Sequence, residues 1–133
     1  MIYMKIKICS KCHKELPISE FHKNGFDSQG NQKYRGYCKA CANKRETERY
    51  WEKRNFIDSQ RTCCAKCGET RSHVLDFHHL DKSEKEFTIG QLKKGSTKII
   101  QKEINKCICL CANCHRDFHF LEKQGMTIEK YLE

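Results

Sequence analysis

The chain has 133 residues, of which 38% are hydrophobic, and its mean hydropathy is −0.83. This composition excludes a large apolar core, so we expect one small domain or two, each needing a cross-link such as a metal site. The formal net charge of +9 points toward a polyanionic partner such as nucleic acid, and no apolar run is long enough to predict a membrane span.

Eleven cysteines supply the material for cross-links, and their spacing favours metal ligands over disulfides. The first residues, MIYMKIKICSK, contain no apolar run of signal-peptide length, so we expect a cytoplasmic protein with reduced thiols. Cys-x2-Cys pairs then predict zinc sites. The four pairs are Cys9 with Cys12, Cys38 with Cys41, Cys64 with Cys67, and Cys111 with Cys114. Each four-thiolate zinc site carries a net charge of −2, so two of them lower the formal charge to about +5.

Three cysteines remain outside these pairs. Cys107 and Cys109 are predicted to pack within a strand. Cys63 adjoins Cys64 and could replace it as a ligand.

The segment from Cys9 to Cys41 contains a complete zinc-ligand set. Turn-forming glycine, asparagine, aspartate and serine residues occupy positions 24–31, and residues 33–35 predict a short strand leading into the second pair. A hairpin between two knuckles, followed by a helix, is the order of elements in a treble-clef finger.

A helix is predicted from about residue 41 to 56, because ANKRETERYWEKRNF contains no helix breaker. Opposite charges recur at helical spacing. The predicted pairs are Lys44 with Glu48, Arg45 with Glu48, Glu46 with Arg49, and Arg49 with Glu52. The basic residues of this region predict contact with DNA phosphates. They are Arg35, Lys39, Lys44, Arg45, Arg49, Lys53 and Arg54. In the alternative interpretation these charges are only solvated, while Trp51 and Phe56 pack the helix onto the finger.

A polar link is predicted over residues 57–62, which gives two domains, 1–58 and 59–133. In the second, residues 74–78 alternate as a strand with Leu75 and Phe77 facing inward. A loop over 84–95 is anchored by Phe87, Ile89 and Leu92. The next predicted helix spans 96–106, with Ser96 as N-cap and with Ile99, Ile100 and Ile104 buried. A final helix spans about 112–123 and ends near Gly125, and the structure of the closing residues is not specified.

The histidines beside the second zinc set indicate chemistry. His115 and His119 lie four residues apart, so one helical face can bring both imidazoles to one ion. His78 and His79 stand in tandem in LDFHHLD, where strand alternation would point them apart unless the strand bends or ends there. Taken singly, His115 could be a structural zinc ligand, His119 a surface residue and His78 a solvent-facing strand residue. Their combination favours a metal centre.

Residues 64–119 resemble the HNH nuclease superfamily with its ββα-metal fold, in the branch that carries a four-cysteine zinc site. The matching motifs are CAKCG at 64–68, LDFHHLD at 75–81 and KCICLCANCHRDFH at 106–119. The N-terminal segment resembles the four-cysteine modules found beside phage recombination endonuclease VII-type nucleases, through its Cys-x2-Cys pair, its Leu16-Pro17 and Phe21 stretch and its CKAC motif.

The resemblance implies a small zinc-stabilised α+β protein, with an N-terminal treble-clef-like finger and a C-terminal ββα module that cuts DNA. It implies that His79 is the general base, while His78, His115 and His119 hold one catalytic divalent ion that acts as a Lewis acid. It also implies two structural zinc ions, a monomer or homodimer, and a phage-encoded protein acting in the host cytosol.

Two features depart from that family. The central asparagine falls on Lys106, so Asn105 or a backbone carbonyl is expected to orient His79. An all-imidazole metal site is also softer than the oxygen-rich sites that magnesium prefers, so we predict higher activity with manganese, nickel or cobalt than with magnesium.

Two other function classes fit the sequence. A tandem zinc-finger protein that binds nucleic acid without catalysis is favoured by the missing asparagine. A zinc-dependent protein-interaction adaptor would show no salt-sensitive DNA affinity.

Overall fold

The structure is a computed structural model that describes residues 5–91 and 95–133. In this part of the chain, short antiparallel sheets and helices form a small α+β protein. The strands are β1 (Ile6–Ile8), β2 (Glu15–Pro17), β3 (Phe21–Phe26), β4 (Gln32–Cys38), β5 (Leu75–His79) and β6 (Cys107–Cys111). The helices are α1 (Lys39–Ser59), α2 (Thr97–Ile104), α3 (Ala112–Glu122) and α4 (Ile128–Leu132), with single 3₁₀ turns at Ile18–Glu20 and Ser72–Val74. The chain divides into two compact units within α1, between Arg49 and Tyr50.

The N-terminal unit contains two small sheets around a core of sulfur and aromatic side chains. Strand β1 pairs with β2, and β3 pairs with β4, both antiparallel. The hairpin expected between the two cysteine pairs is therefore present. The strand predicted at 33–35 is part of β4, which is longer than predicted. Cys9, Phe21 and Cys38 are buried together at its centre.

The hairpin is irregular near its base. Phe21 lies opposite Cys38 and Lys23 opposite Tyr34. Three residues of β4, numbers 35–37, therefore stand against the single residue His22 of β3. Such a bulge twists the strand and turns its side chains away from the regular alternation.

Helix α1 is longer than predicted at both ends. Residues 57–59 belong to it, and Ile57 is buried, so the first half of the expected polar link is wrong. Phe56 and Ile57 belong to a hydrophobic cluster of the C-terminal unit, because one apolar face of this last turn meets that core. The alternative interpretation, in which Trp51 is a packed side chain, is wrong for this residue, which is 55% exposed.

Ion pairing along α1 is sparse. The predicted pair of Lys44 with Glu48 forms at 3.9 Å. Within the described ranges the other three predicted pairs lie beyond ion-pair distance. Most of the helix's basic groups are thus left facing solvent.

The C-terminal unit has two apolar clusters on the strand pair β5 and β6, which runs antiparallel from Leu75 opposite Cys111 to His79 opposite Cys107. Leu75, Leu110 and Phe118 are buried in one cluster. The other contains the predicted loop anchors Phe87 and Ile89, together with Ile100 and Ile104 of α2. The third predicted anchor, Leu92, lies outside the described residues.

Helix α2 follows its predicted position closely but turns a different face inward. Ser96 occupies the N-cap position without a side-chain hydrogen bond. Ile100, Glu103 and Ile104 are buried, whereas Ile99 is 46% exposed, so its predicted burial is wrong. Positions 100, 103 and 104 follow the three- and four-residue spacing of one helical face, and position 99 falls beside it.

Helix α3 begins directly after β6 and ends close to where the sequence predicts. The closing residues then form a further helix, α4, whose N-cap Thr127 accepts a hydrogen bond from the Lys130 amide. Tyr131 of α4 is buried, and its hydroxyl contacts the Cys114 carbonyl at 3.1 Å and the Asp117 carboxylate at 3.0 Å. This contact fixes α4 against the start of α3.

Candidate metal centre

Four sulfur atoms converge in the N-terminal unit. The ligand atoms of Cys9, Cys12, Cys38 and Cys41 all lie within 4.8 Å of one another. The Cys9–Cys41 and Cys12–Cys38 sulfur distances are 3.8 and 4.0 Å. A tetrahedral zinc ion with Zn–S bonds of about 2.3 Å places its sulfurs about 3.8 Å apart. The four thiols therefore lie close enough together to hold one structural zinc ion.

Backbone amide groups stabilise the negatively charged thiolate of Cys9. The amide groups of Lys11, Cys12 and Cys38 donate to its Sγ at 3.3–3.5 Å. Burial raises the pKa of the Cys9 thiol, but these hydrogen bonds outweigh burial and bring the pKa to about 5. A thiolate at neutral pH is the form that binds zinc.

A second set of four thiols converges in the C-terminal unit. The ligand atoms of Cys64, Cys67, Cys111 and Cys114 also lie within 4.8 Å of one another, and the Cys67–Cys111 sulfur distance is 3.7 Å. Cys111 caps α3 by accepting the Cys114 amide at 3.4 Å. The set therefore fits a second structural zinc ion.

The three remaining cysteines lie outside both sets. Cys63 is exposed, whereas Cys64 is buried among the ligands. Cys107 and Cys109 belong to β6, as predicted, and burial raises the pKa of each thiol to about 11. They are therefore neutral packing groups near neutral pH.

Three imidazoles form a further cluster where β5 meets α3. Nitrogen atoms of His78, His115 and His119 lie within 4.8 Å of one another, close enough to hold one metal ion. His115 and His119 project from successive turns of α3, and their Nε2 atoms are 3.1 Å apart. His78 comes from β5, on the face that Asp76 shares.

Hydrogen bonds orient the two helical imidazoles. His115 Nδ1 lies 3.3 Å from Asp76 Oδ2, and His119 Nδ1 lies 3.1 Å from Glu122 Oε2. If each Nδ1–H donates to its carboxylate, both Nε2 atoms present lone pairs to the space between them. Two lone pairs at this distance repel each other unless a cation or a proton lies between them. Carboxylates that orient imidazoles in this way are typical of metal ligands.

His78 is held as a neutral imidazole. The residue is 4% exposed and packs edge-on against Phe118 at 5.0 Å between ring centroids. Burial lowers the pKa of His78 to about 4, with a further contribution from His115 and His119. The solvent-facing alternative for His78 is therefore wrong.

His79 turns to the opposite side of β5, toward α2. Its Nε2 lies 2.7 Å from Oε1 of Glu103, which is 1% exposed. Glu103 also accepts the Glu86 amide at 3.1 Å and the Lys106 ammonium at 3.0 Å. Both carboxylate oxygens are thus occupied, so the carboxylate can be buried at low cost.

The partner of His79 differs from the sequence expectation. Burial raises the pKa of Glu103, but hydrogen bonds from Lys106 and His79 outweigh it and leave the pKa below its usual value. The carboxylate is therefore ionised at neutral pH and orients His79. Asn105 instead accepts a hydrogen bond from Gln101 at 2.7 Å. Lys106 replaces the expected asparagine and supports the carboxylate.

Both histidines of the tandem pair line one groove of about 610 Å³ at the end of β5. His115 and His119 lie in its wall, as do the basic side chains of Arg61, Lys82 and Lys85. We call this the histidine groove. Arg61 and the two lysines were not among the predicted site residues, because their positions in the sequence carry no motif.

The predicted DNA-contacting residues lie on β4 and α1. Arg35 belongs to β4, and the other six belong to α1. All are exposed except Lys53, which is half-buried. Arg54 pairs with Asp58 at 3.6 Å. Most of these basic side chains therefore face solvent.

No model of a known protein family, no curated protein and no solved structure matches the chain. Among the described residues, no helix combines the length and apolar composition needed to cross a membrane.

Proposed function

We propose that the chain is a metal-dependent DNA endonuclease of the HNH type, in which His79 is the general base. One observation carries the proposal: a cluster of three imidazoles and a carboxylate-bound histidine line the same groove. Either feature alone would suit a structural site. A purely structural metal centre would not need a further histidine, His79, that is oriented by the buried carboxylate of Glu103 in the same groove.

The order of elements supports the same assignment. Strands β5 and β6 pair antiparallel, and α3 follows directly with His115 and His119. This is the order implied by a ββα-metal module. The second four-cysteine set connects residues before β5 with the β6–α3 junction.

His79 would accept the proton of the attacking water. Because the ionised Glu103 binds Nε2–H, the lone pair of His79 is on Nδ1. Water would transfer a proton to Nδ1 as its oxygen attacks phosphorus, and the bond from phosphorus to the leaving oxygen would break. Glu103 then stabilises the imidazolium through the same hydrogen bond. The leaving oxygen would take a proton from solvent water, and the imidazolium would return its proton to solvent afterwards.

His78, His115 and His119 would hold the divalent ion, which supplies Lewis acidity to a phosphate oxygen and to the leaving oxygen when bound. Arg61, Lys82 and Lys85 line the same groove and would attract the phosphate backbone. Lys82 contacts Glu122 at 2.8 Å, and Glu122 in turn orients His119. A groove cation and a proposed metal ligand are thus linked through one carboxylate.

The test is conversion of supercoiled plasmid to nicked or linear DNA by purified full-length protein. We expect cleavage with manganese, nickel or cobalt, and less with magnesium. His79→Ala should cut about 10²–10⁴-fold more slowly while retaining two zinc ions per chain. His73→Ala, in the 3₁₀ turn before β5, is the matched control and should cut like the wild type. Equal cleavage by His79→Ala and the wild type would contradict the assigned base.

A second candidate is a nucleic-acid-binding protein without catalysis. The observation that favours it is Lys106, which stands where the resemblance expects asparagine. Plasmid binding by the wild type, with no cleavage under any of the four metal ions, would favour this candidate over the endonuclease.

A further inference from the structure

The N-terminal unit contains a second groove, of about 370 Å³, between the β3–β4 hairpin and the start of α1. Basic side chains come to it from three different elements: Lys23 from β3, Arg35 from β4 and Arg45 from α1. Tyr37, Asn43 and Glu46 also line it. We call it the hairpin groove.

The strand bulge shapes one wall of this groove. Arg35 and Tyr37 are two residues apart on β4, so their side chains share one face of the strand, and both line the groove. They lie in the segment 35–37, which stands against a single residue of β3. The first cysteine knuckle fixes the bulge in place. The Ser10 amide donates to the Gly36 carbonyl at 2.9 Å, and the Cys38 amide donates to Cys9 Sγ at 3.3 Å.

Arg35 is oriented before any ligand arrives. Its Nη1 donates to the Tyr37 hydroxyl at 3.0 Å, and its guanidinium lies 6.0 Å from the centroid of the Tyr37 ring. Tyr37 is itself partly buried against the four-cysteine core. One hydrogen bond leaves most of the guanidinium donors available to an anion.

The groove is a cationic site in which few of the positive charges are paired with carboxylates. Among the residues that the structure describes, Lys23, Arg35 and Arg45 take part in no ion pair, although Glu46 lines the same groove. Three cations held near one another repel, which costs folding free energy unless an anion is bound. Asn43 adds an amide donor beside them. The donor set suits phosphate oxygens.

We propose that the hairpin groove binds the phosphodiester backbone of DNA and holds the substrate independently of the histidine groove. This inference rests on the proposed function, which makes DNA the substrate. It narrows the predicted DNA surface to Arg35 and Arg45, adds Lys23, and excludes Lys44, which is outside the groove and paired with Glu48. Contact with phosphates would position DNA without reading its sequence.

The experiment measures the affinity of the zinc-loaded, full-length protein for a short labelled DNA duplex over a range of salt concentrations, without added manganese or magnesium. The test variant combines Lys23→Ala, Arg35→Gln and Arg45→Ala. The control combines Lys11→Ala, Lys14→Ala and Lys44→Ala, which removes the same charge from exposed positions of the same unit outside the groove. Zinc content and circular dichroism establish that both variants fold.

We expect the groove variant to bind at least about 10-fold more weakly. Its slope of log affinity against log salt should fall by up to about 3, since each lost phosphate contact removes about 0.9. The control should keep most of the wild-type slope. Equal losses in both variants, or an unchanged slope in the groove variant, would overturn the inference. The inference would also be overturned if polyglutamate displaced the labelled DNA as effectively, per charge, as unlabelled DNA does.

Plasmid cleavage with manganese separates this inference from the proposed function. If the protein cuts plasmid but its affinity does not depend on the groove, only the inference about the groove fails. If affinity depends on the groove but no metal ion supports cleavage, the endonuclease proposal fails and the groove remains a DNA-binding site.

Discussion

Glu103 is the residue on which the proposed chemistry depends most, although it lies outside all of the sequence motifs. Its two oxygens accept hydrogen bonds from an imidazole, an ammonium and a backbone amide while it is almost completely buried. A carboxylate in these surroundings is rigid and charged. It therefore sets both the ring orientation and the tautomer of His79.

Glu103→Gln tests this role. The amide keeps the shape of the side chain but removes the charge that would stabilise the His79 imidazolium. We expect plasmid cleavage to slow by about 10²-fold or more, because a positioned histidine base contributes about 10²–10⁴-fold. KM for DNA and the zinc content should stay close to the wild-type values.

Gln101→Ala is the control for this prediction, because Gln101 is on the same helix and bonds Asn105 rather than His79. Slow cleavage by both variants would attribute the loss to α2 as a whole. A rise in KM with kcat unchanged in Glu103→Gln would assign the residue to DNA binding.

Each four-cysteine set begins with a Cys-x2-Cys pair, and the residue directly after that pair has the same backbone conformation in both sets. His13 and Gly68 have φ angles of 57° and 76°, and their amides donate to the carbonyls of Cys9 and Cys64 at 2.9 Å in each case. Only glycine takes this left-handed backbone without strain. The two pairs therefore share one turn, but a side chain is already present at position 13, whereas position 68 holds glycine.

Gly68→Ala should destabilise the C-terminal unit by about 1 kcal/mol, because alanine is strained at positive φ even though no atom lies within 4 Å of its Cβ. Gly90→Ala is the control, since Gly90 has an equally open surrounding without a positive φ. Thermal unfolding at saturating zinc measures the difference. Similar unfolding temperatures for the two variants would contradict the backbone explanation.

At the scale of elements, α3 organises the C-terminal unit. One face carries His115 and His119, and the buried Phe118 lies between them and the core. Phe118 packs against His78 on one side and against Tyr131 of α4 on the other, at 5.0 and 5.3 Å between ring centroids. A single ring thus supports the three-imidazole cluster and the terminal helix together.

Phe118→Ala should lower the free energy of unfolding by about 3–5 kcal/mol, the usual cost of removing a buried aromatic ring. It should also weaken manganese binding, because His78 loses the ring that fixes it. Phe120→Ala, two residues along and 63% exposed, should change stability by no more than about 0.5 kcal/mol. Denaturant unfolding with manganese titration measures both effects, and equal losses in the two variants would contradict the packing argument.

The sequence predicts the elements that have strong local signals. Cysteine spacing predicts the composition of both four-thiol sets, and the four-residue spacing of His115 and His119 predicts a shared helical face. The closing helix α4 is missed, because its five residues are too few for a periodic pattern and its position depends on the distant contact of Tyr131 with α3. Helix α2 is predicted, but not that its buried face includes a glutamate.

The contact between His79 and Glu103 is not predictable from local pattern. The two residues are 24 positions apart, and a glutamate on a short helix is normally assigned to the solvent side. The burial of Ile57 is missed for a related reason. Sequence composition marks residues 57–62 as polar, and only the packing of the last turn of α1 against α2 residues buries its one isoleucine.

At the scale of the whole molecule, the two four-thiol sets would, with zinc bound, supply much of the stability that the small apolar clusters cannot. Each set of four thiols brings together residues that are distant in sequence. Because the ligands converge only in the folded chain, zinc-binding free energy adds directly to folding free energy. Each unit should therefore depend on its own zinc ion.

Cys12→Ser should reduce the zinc content from two ions per chain to one, and the backbone NMR signals of the N-terminal unit should lose dispersion. Cys63→Ser should retain two zinc ions, because Cys63 lies outside both sets. Elemental analysis of the purified proteins measures the stoichiometry. Loss of one zinc ion from Cys63→Ser would show that this cysteine replaces Cys64 as a ligand.

The pairing of Glu103 with Lys106 restricts the order in which descendants of this chain can change. A lineage that loses Lys106 first keeps a buried carboxylate without its ammonium partner, whereas one that loses Glu103 first leaves Lys106 in contact with Glu86 at 3.1 Å. The first path destabilises the fold, because a buried charge loses its partner. The second removes the buried charge itself, so its cost falls on the orientation of His79 rather than on folding. Natural variants that keep the glutamate should therefore also keep the lysine.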